Sequence, residues 1–539
     1  MNRNIRSGSF RKALWGFFSD YCDNSSIHGV KYLGERRRPW TERVWWCIAF
    51  VLSISGCSIF IWSSWTKWNQ SPVIVTFADK STPVWQIPFP AITICPETKF
   101  KMEYLNFTKA FVNWRDNDGS NLTEKEKLGL ETVYHLCNHD IIHEEHYSFG
   151  SDYANDSLLE TLEEMAPNHY DVFFVCLILS NASRCDSFTT IVTDEGICFT
   201  SNLLSAPEIY RQSHMHSDYS YHWQERKADH WTLEEGYDAK APLQTYPERV
   251  LGASVRAGYF IWLQLNTENF DYMCRGPVQG FRILLHTPAE IPQVSRHYIS
   301  IPLNQVITVS VKPSMFSTSK ALKNYEPTRR QCYFNHERQL HFFRIYTQRN
   351  CNLECLSLYT KKKCGCVRFF MPRDNDTLIC GTAKVSCYNA VEYELLRAEV
   401  TADLQKNYSH SPCNCLPACT SIVYDAEISQ TDVEWRKMLN AYRVPEGEFN
   451  GTQFAAISLF FKDTQFITSR RSELYGWTHF IANCGGLLGL FMGVSLLSII
   501  EIIYFFTIRL RNNFLMRRRC KNIISKINVI VPKPQKATV

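Results

Sequence analysis

The chain has 539 residues, a net charge of +5 and 45% apolar residues, enough for several hundred residues of core. Its mild charge, with no sustained Lys/Arg–aromatic pattern, gives no case for nucleic acid. No G-x-S-x-G, P-loop or dinucleotide fingerprint occurs in the segments outside the two apolar runs, so an enzyme reading has no residues to stand on.

Residues 1–43 read as a cytoplasmic N-terminus. Within it His28-Gly29 is uninformative by itself, since any loop can carry the pair. Val44–Trp62 follows, 19 residues without a charge. That is long enough to cross a bilayer and lies too deep in the chain for a cleaved signal peptide. We place the first span at 44–65. Arg36, Arg37, Arg38 and Arg43 precede it, and positive residues favour the cytoplasmic side.

Residues 66–477 read as one outer segment. Residues 66–95 are expected to be extended, with "VIVTF" and "AITIC" as short strands. Helices are expected around Lys125–Tyr134 and Ser157–Met165, and "DSFTTIVTDEGICFTSN" returns to strand. Residues 205–245 lack periodicity and read as a long loop or poorly ordered insert. "RVLGASVRAGYFIWLQL", "GFRILLHTP" and "HYISIPLNQVITVSVK" read as strands. Helical patterns recur at Glu337–Tyr346 and Val391–Asn407. His135, His139, His143 and His146 recur at four, four and three residues, which on a helix puts them on one face. Such a row is either a proton or metal site or a solvated face, and "HEEH" lacks the zinc-protease spacing. No metal is assigned, and these four are the candidate.

The second span is placed at 478–508 and includes "GGLLGLFMGVSLLSIIEIIYFF", Gly485–Phe506. A carboxylate at membrane depth costs roughly 2.5–3.5 kcal/mol and usually faces a bundle interior or water. Ala482, Gly486, Gly489 and Gly493 form one small-residue face, suited to close helix approach. Ser495, Ser498 and Glu501 form a polar stripe. On an unbroken helix Gly493 and Ser495 point roughly 200° apart, so one straight helix turns the two faces to different surroundings. A break at Gly493–Ser495 removes that conflict. Non-helical backbone at membrane depth survives only in protein or beside water. The serines could otherwise simply bond back to helix carbonyls. Arg509, Arg511, Arg517, Arg518 and Arg519 follow, so residues 509–539 read as a second cytoplasmic end.

Cysteine usage agrees with an outer segment. Of 21 cysteines, only Cys22, Cys47, Cys57, Cys484 and Cys520 fall in the tails or spans. The others lie between Cys95 and Cys419, where "CNLEC", "CGC" and "CNCLPAC" suit disulfides better than zinc outside the cell. Glycosylation sequons share that segment at Asn106, Asn121, Asn155, Asn181, Asn375, Asn407 and Asn450.

Taken in order, these stretches resemble the degenerin/epithelial sodium channel family, and within it most nearly the insect pickpocket subunits. The resemblance rests on "SIHG" (Ser26–Gly29), "FPAITICP" (Phe89–Pro96), "DEGICFTSN" (Asp194–Asn202) and "GFRILLHTPAEIP" (Gly280–Pro292). It continues through "RQCYF" (Arg330–Phe334), "YTQRNCNLEC" (Tyr346–Cys355), "CGCV" (Cys364–Val367), "CNCLPAC" (Cys413–Cys419) and "GLFMGVSLLSIIEIIYF" (Gly489–Phe505).

The resemblance implies two transmembrane helices flanking a large, hand-like, disulfide-rich α+β extracellular domain, assembled as a homo- or heterotrimer in the plasma membrane. It implies a sodium- or cation-selective, amiloride-sensitive pore, with Na⁺ as permeant ion and no cofactor. Gly493-Val494-Ser495 would be the filter, and Ala482, Asn483, Gly486, Gly489, Ser498 and Glu501 would line or gate the pore. His28-Gly29 would belong to a cytoplasmic re-entrant gating segment. The pairings implied are Cys95–Cys198, Cys176–Cys185, Cys332–Cys419, Cys351–Cys415, Cys355–Cys413, Cys364–Cys387 and Cys366–Cys380. Parity alone leaves Cys137 and Cys274 as an eighth. The aromatic residue that acid-sensing members carry just before the Cys332 position is missing from "EPTRRQC", and the activating stimulus, sensory or otherwise, is not named by any motif. A regulatory subunit conducting only in heteromers is the nearest alternative. A non-conducting surface glycoprotein would explain the cysteines and sequons, but neither the glycine break nor Glu501.

Overall fold

The computed structural model describes residues 16–519, apart from 36–37, 71–72, 118–119, 138–149, 179–180, 184, 219–225, 405–411, 446–448, 475, 514 and 517–518; for 70, 117, 181–183 and 403 it describes the backbone only. The chain divides into two compact units, Val75–Ser472 and a second built from Met1–Ile74 with Glu473–Val539.

The larger unit is built on two sheets. In one, Gln305–Thr318 is the spine. It pairs antiparallel with Ser421–Asp432 and parallel with Thr452–Phe461. Tyr259–Asn266 joins Thr452–Phe461 antiparallel, and Phe173–Ile178 adds to its other edge. In the other, Ala91–Pro96 lies between Gly280–His286 and Gly196–Ser201. Alternation decides the faces. Along Tyr259–Asn266, Tyr259, Ile261, Leu263 and Leu265 are buried, as a period of two requires. They meet Ile92, Ile94, Phe281 and Ile283 of the second sheet in one core. Ala91–Pro96 is buried along its whole length, which is why "AITIC" reads as a continuous apolar run.

Eight disulfides tie this unit together: Cys95–Cys198, Cys137–Cys274, Cys176–Cys185, Cys332–Cys419, Cys351–Cys415, Cys355–Cys413, Cys364–Cys387 and Cys366–Cys380. Cys351 and Cys355 stand one turn apart on the helix Gln348–Cys364 and hold the segment of Cys413 and Cys415. Cys22, Cys47, Cys57 and Cys484 are free thiols; Cys520 lies outside the described residues. Asn106, Asn121, Asn155, Asn375 and Asn450 are exposed, as glycan acceptors must be. Asn407 and the Asn181 side chain lie outside the description.

Five sequence expectations need correction. The first apolar helix runs Trp40–Gln70, so the stretch from 66 is helical until Gln70. Residues 251–258 are bends and a short 3₁₀ turn, and the strand begins at Tyr259. Glu337–Tyr346 is not helical. Its backbone donors go elsewhere: His341 and Phe342 N–H to the Glu354 carboxylate, Arg344 N–H to the Ile209 carbonyl. The Glu337 carboxylate accepts from Phe334 N–H and from the fully buried Arg330. Arg330 also donates to the carbonyls of Tyr325 and Cys332, so the residue at the "missing aromatic" end of that loop is a guanidinium knitting it together.

Among its described residues the 205–245 insert is anchored rather than loose, and 219–225 lie outside the description. Ser205 and Glu208 form a capping box on Ala206–Ile209, and Trp231–Thr232 pairs with Gly236–Tyr237 as a hairpin. Ile209, Trp231 and Leu233 join the core. Finally, the helix Glu124–Tyr134 ends before the histidine row, and His135 is its C-cap. His135 is buried, with Nδ1 3.2 Å from the Tyr388 hydroxyl; His139, His143 and His146 lie outside the described residues.

A buried charge cluster closes one end of the second sheet. Glu195, in the turn after Thr189–Thr193, meets Lys99 at 3.1 Å, Arg275 at 2.6 Å and Arg282 at 2.8 Å; Arg275 and Arg282 also pair with Glu97. Burial alone would raise the Glu195 carboxyl, but Lys99, Arg275 and Arg282 outweigh it and pull it down to about 2. A depressed carboxyl contributes stability above its unfolded pKa, which is lost as pH falls through the folded value. Glu195→Gln removes one partner from buried cations, which costs about 3–5 kcal/mol. The expected result is a lower melting temperature for the purified full-length variant at pH 7. The gap to the parent should narrow between about pH 4.5 and 2, where Glu195 itself becomes neutral. An equal gap at neutral pH and at the acid end of that window would contradict this account.

Candidate functional site: the broken apolar helix

The second unit, built from Met1–Ile74 with Glu473–Val539, holds the segments in question. Trp40–Asn69 is long and apolar enough to span, and Trp477–Met492 with Leu496–Asn513 forms a pair bent by 74°. The two elements pack through aromatic rings. Trp68 stacks on Phe480 at 5.5 Å, Trp65 sits 5.7 Å from Phe480, and Phe60 lies 5.8 Å from Phe491. Gly56 allows this approach, because a Cβ there would stand 3.0 Å from the Phe491 ring.

The bend lies at Gly493–Ser495, where the clash of the two faces places it. Gly493 takes φ +65°, the left-handed conformation that glycine adopts without penalty, and its N–H still bonds the Gly489 carbonyl at 2.9 Å. Ser495 then starts the second arm as its N-cap. Its Oγ accepts from Ser498 N–H at 3.3 Å, and its own N–H donates to Ser498 Oγ at 3.2 Å. Helix ends leave carbonyls and N–H groups without partners; this serine pair satisfies one end.

The N-terminal segment satisfies the other. His28 N–H donates to the Met492 carbonyl at 3.1 Å. Ser26 N–H and Oγ donate to Glu501 Oε2 at 3.2 and 2.7 Å, and Ser26 Oγ lies 2.8 Å from Ser498 Oγ. Gly29, at φ +85°, turns the chain into the short helix Val30–Gly34, and Tyr32 stacks on Trp46 of the first helix at 4.4 Å. Residues 16–24 form a helix that lies beside the second arm, with Tyr21 5.3 Å from Phe505 and Asp20 paired to Arg509 at 2.9 Å. The Glu501 carboxylate is thus hydrogen-bonded by Ser26, and among the described residues no Lys or Arg forms an ion pair with it.

Of the residues singled out from sequence, His28, Gly29, Gly493, Val494, Ser495, Ser498 and Glu501 gather around the break. Ala482, Gly486 and Gly489 lie along the first arm on a face open to solvent in the single chain, and among the described residues nothing outside the helix's own backbone comes within 4 Å of a Cβ placed on Gly486, whereas Asn483 lines the groove against the first helix with Phe60 and Trp68. Ser26 also belongs to the group around the break, and nothing local in "SIHG" shows that its partner is 475 residues away.

A family profile described as amiloride-sensitive sodium channel matches residues 21–505. The chain belongs to the amiloride-sensitive sodium channel family. It is 27% identical to Pickpocket protein 28 of Drosophila melanogaster over 532 residues, covering 95% of this chain and 82% of that one. It is 25% identical to the Drosophila melanogaster sodium channel protein Nach, covering 92% and 88%. It is 21% identical to Acid-sensing ion channel 4-B of Danio rerio, covering 90% and 75%. This amiloride-sensitive sodium channel family comprises membrane channels, not enzymes, and a disulfide-rich outer unit belongs to its plan.

Proposed function

We propose that this chain is one of three subunits of a sodium-selective, amiloride-sensitive channel in the plasma membrane, gated through its extracellular unit in a sensory role. In this reading the chain crosses twice, at Trp40–Gln70 and at the bent pair, with both ends cytoplasmic and Na⁺ as the permeant ion. The observation that supports it best is the break at Gly493–Ser495. Its non-helical backbone is tolerable at membrane depth only in protein or beside water, where carbonyls and a serine hydroxyl can replace part of a cation's hydration shell. The small face of Ala482, Gly486 and Gly489 would pack against neighbouring copies.

The test is expression in oocytes, alone and with related subunits, with current recorded against surface protein. Amiloride-sensitive current from the chain alone supports the homomer. Current only in mixtures makes it a heteromeric subunit, and none in either sinks the channel reading. Ser495→Ala is expected to change the Na⁺/K⁺ permeability ratio by removing a hydroxyl ligand and the N-cap, a cap loss of ~1 kcal/mol. Unchanged reversal potentials in a conducting variant would exclude Ser495 from the filter.

A further inference from the structure

The outer unit carries a second feature that conduction does not use. Between the hairpin Trp231–Tyr237 and the loop of Tyr333 and Tyr346 lies a cleft of about 360 Å³, within the range of small-molecule sites. Its apolar wall is aromatic. Trp231, Tyr333 and Tyr346 are each more than nine-tenths buried, and the two tyrosine rings meet edge-on at 5.4 Å. Their hydroxyls are held, that of Tyr346 by the Leu416 carbonyl at 2.5 Å and that of Tyr333 by Asn414 at 3.1 Å, so the rings are fixed in place.

The polar wall is acidic: Glu208, Glu234 and Glu235. Glu208 accepts from Ser205 N–H at 3.0 Å, Ser205 Oγ at 2.8 Å and Ala228 N–H at 2.8 Å. Glu234 accepts from Asn335 N–H at 2.5 Å. These donors are neutral. Among the described residues no Lys or Arg lines the cleft, and none forms an ion pair with these three carboxylates. Arg338 sits 5.9 Å from the Tyr333 ring but is engaged with the Cys413 carbonyl. Aromatic faces attract cations, more strongly when water is excluded, and a cleft walled by one sign of charge concentrates the opposite sign.

We propose that this cleft binds a small organic cation with an apolar body, an aryl- or alkylammonium. The carboxylates would take the charged head and Trp231, Tyr333 and Tyr346 the body. The site rests on the outer unit alone, so it stands whether or not the chain conducts.

The test is calorimetric titration of purified full-length protein with 2-phenylethylammonium and, separately, with its neutral counterpart 2-phenylethanol. The ammonium is expected to bind saturably, and the alcohol at least tenfold more weakly. The double variant Glu234→Gln/Glu235→Gln changes two exposed side chains, and the amide oxygen introduced at position 234 can still accept from Asn335 N–H. It should melt like the parent and bind the ammonium at least tenfold more weakly. Trp231→Phe, which keeps a ring in the wall, should weaken binding less than the double variant. Equal affinity for the alcohol would make this an apolar pocket, and unaltered affinity in the double variant would place the ammonium elsewhere, as in the pore. Either result overturns the proposal, as does an absence of saturable binding by the parent.

Discussion

Gly493→Ala is expected to degrade ion selectivity and cut current several-fold while surface protein stays within about twofold of the parent. Two costs combine. A β-carbon at φ +65° puts an L-residue in the left-handed region, at roughly 1–2 kcal/mol. The same carbon would stand 1.8 Å from Nδ1 of His28, so the ring must leave. His28 is anchored through its own N–H to the Met492 carbonyl, and Ser26 beside it to Glu501, so moving the ring strains the whole N-terminal segment against the break. The two costs separate in a double-mutant cycle. Adding His28→Ala removes the clash but not the backbone strain, and should restore part of the Na⁺/K⁺ ratio. A Gly493→Ala channel with the parent's reversal potential would mean that the break is not the narrow part of the pore.

Ala482→Val is expected to produce constitutive, amiloride-sensitive current. Ala482 stands eleven residues before Gly493, roughly 16 Å along a helix at 1.5 Å per residue. It begins the small-residue face, and that face is open along Trp477–Met492. If three such helices close on one another there, a larger group has no room. Overpacking a tight contact costs typically 1–3 kcal/mol per site. Three sites per homotrimer then shift a closed–open equilibrium by several kcal/mol, enough to move a mostly closed channel to mostly open. Ala482→Gly, which adds nothing, should behave like the parent. A Val variant that reaches the surface with its partners and still shows the parent's resting current would mean that the helices do not close at Ala482.

Much of this molecule is written locally. The first apolar run is legible because hydropathy is additive along the chain and needs no knowledge of partners, and Trp40–Asn69 is a helix long and apolar enough to cross a membrane. The break at Gly493–Ser495 is legible for a related reason. The angular spacing of a helix is fixed, so a small face and a polar stripe roughly 200° apart expose the conflict without coordinates. Strands such as Tyr259–Asn266 follow their period-two burial.

What only the tertiary structure decided shares one feature: a group whose partner lies outside its own local segment. Glu337–Tyr346 carries a helical pattern, yet Glu354 and Ile209 take its N–H groups into other pairings. The 205–245 insert lacks periodicity because its order comes from single anchors, Ile209, Trp231 and Leu233, sunk into a core supplied by other segments. Glu501 looks from sequence like a costly charge facing water, but Ser26, from the other end of the chain, occupies one of its oxygens. Propensity and periodicity act over a few turns, whereas these bonds depend on which distant groups the folded chain brings within about 3 Å.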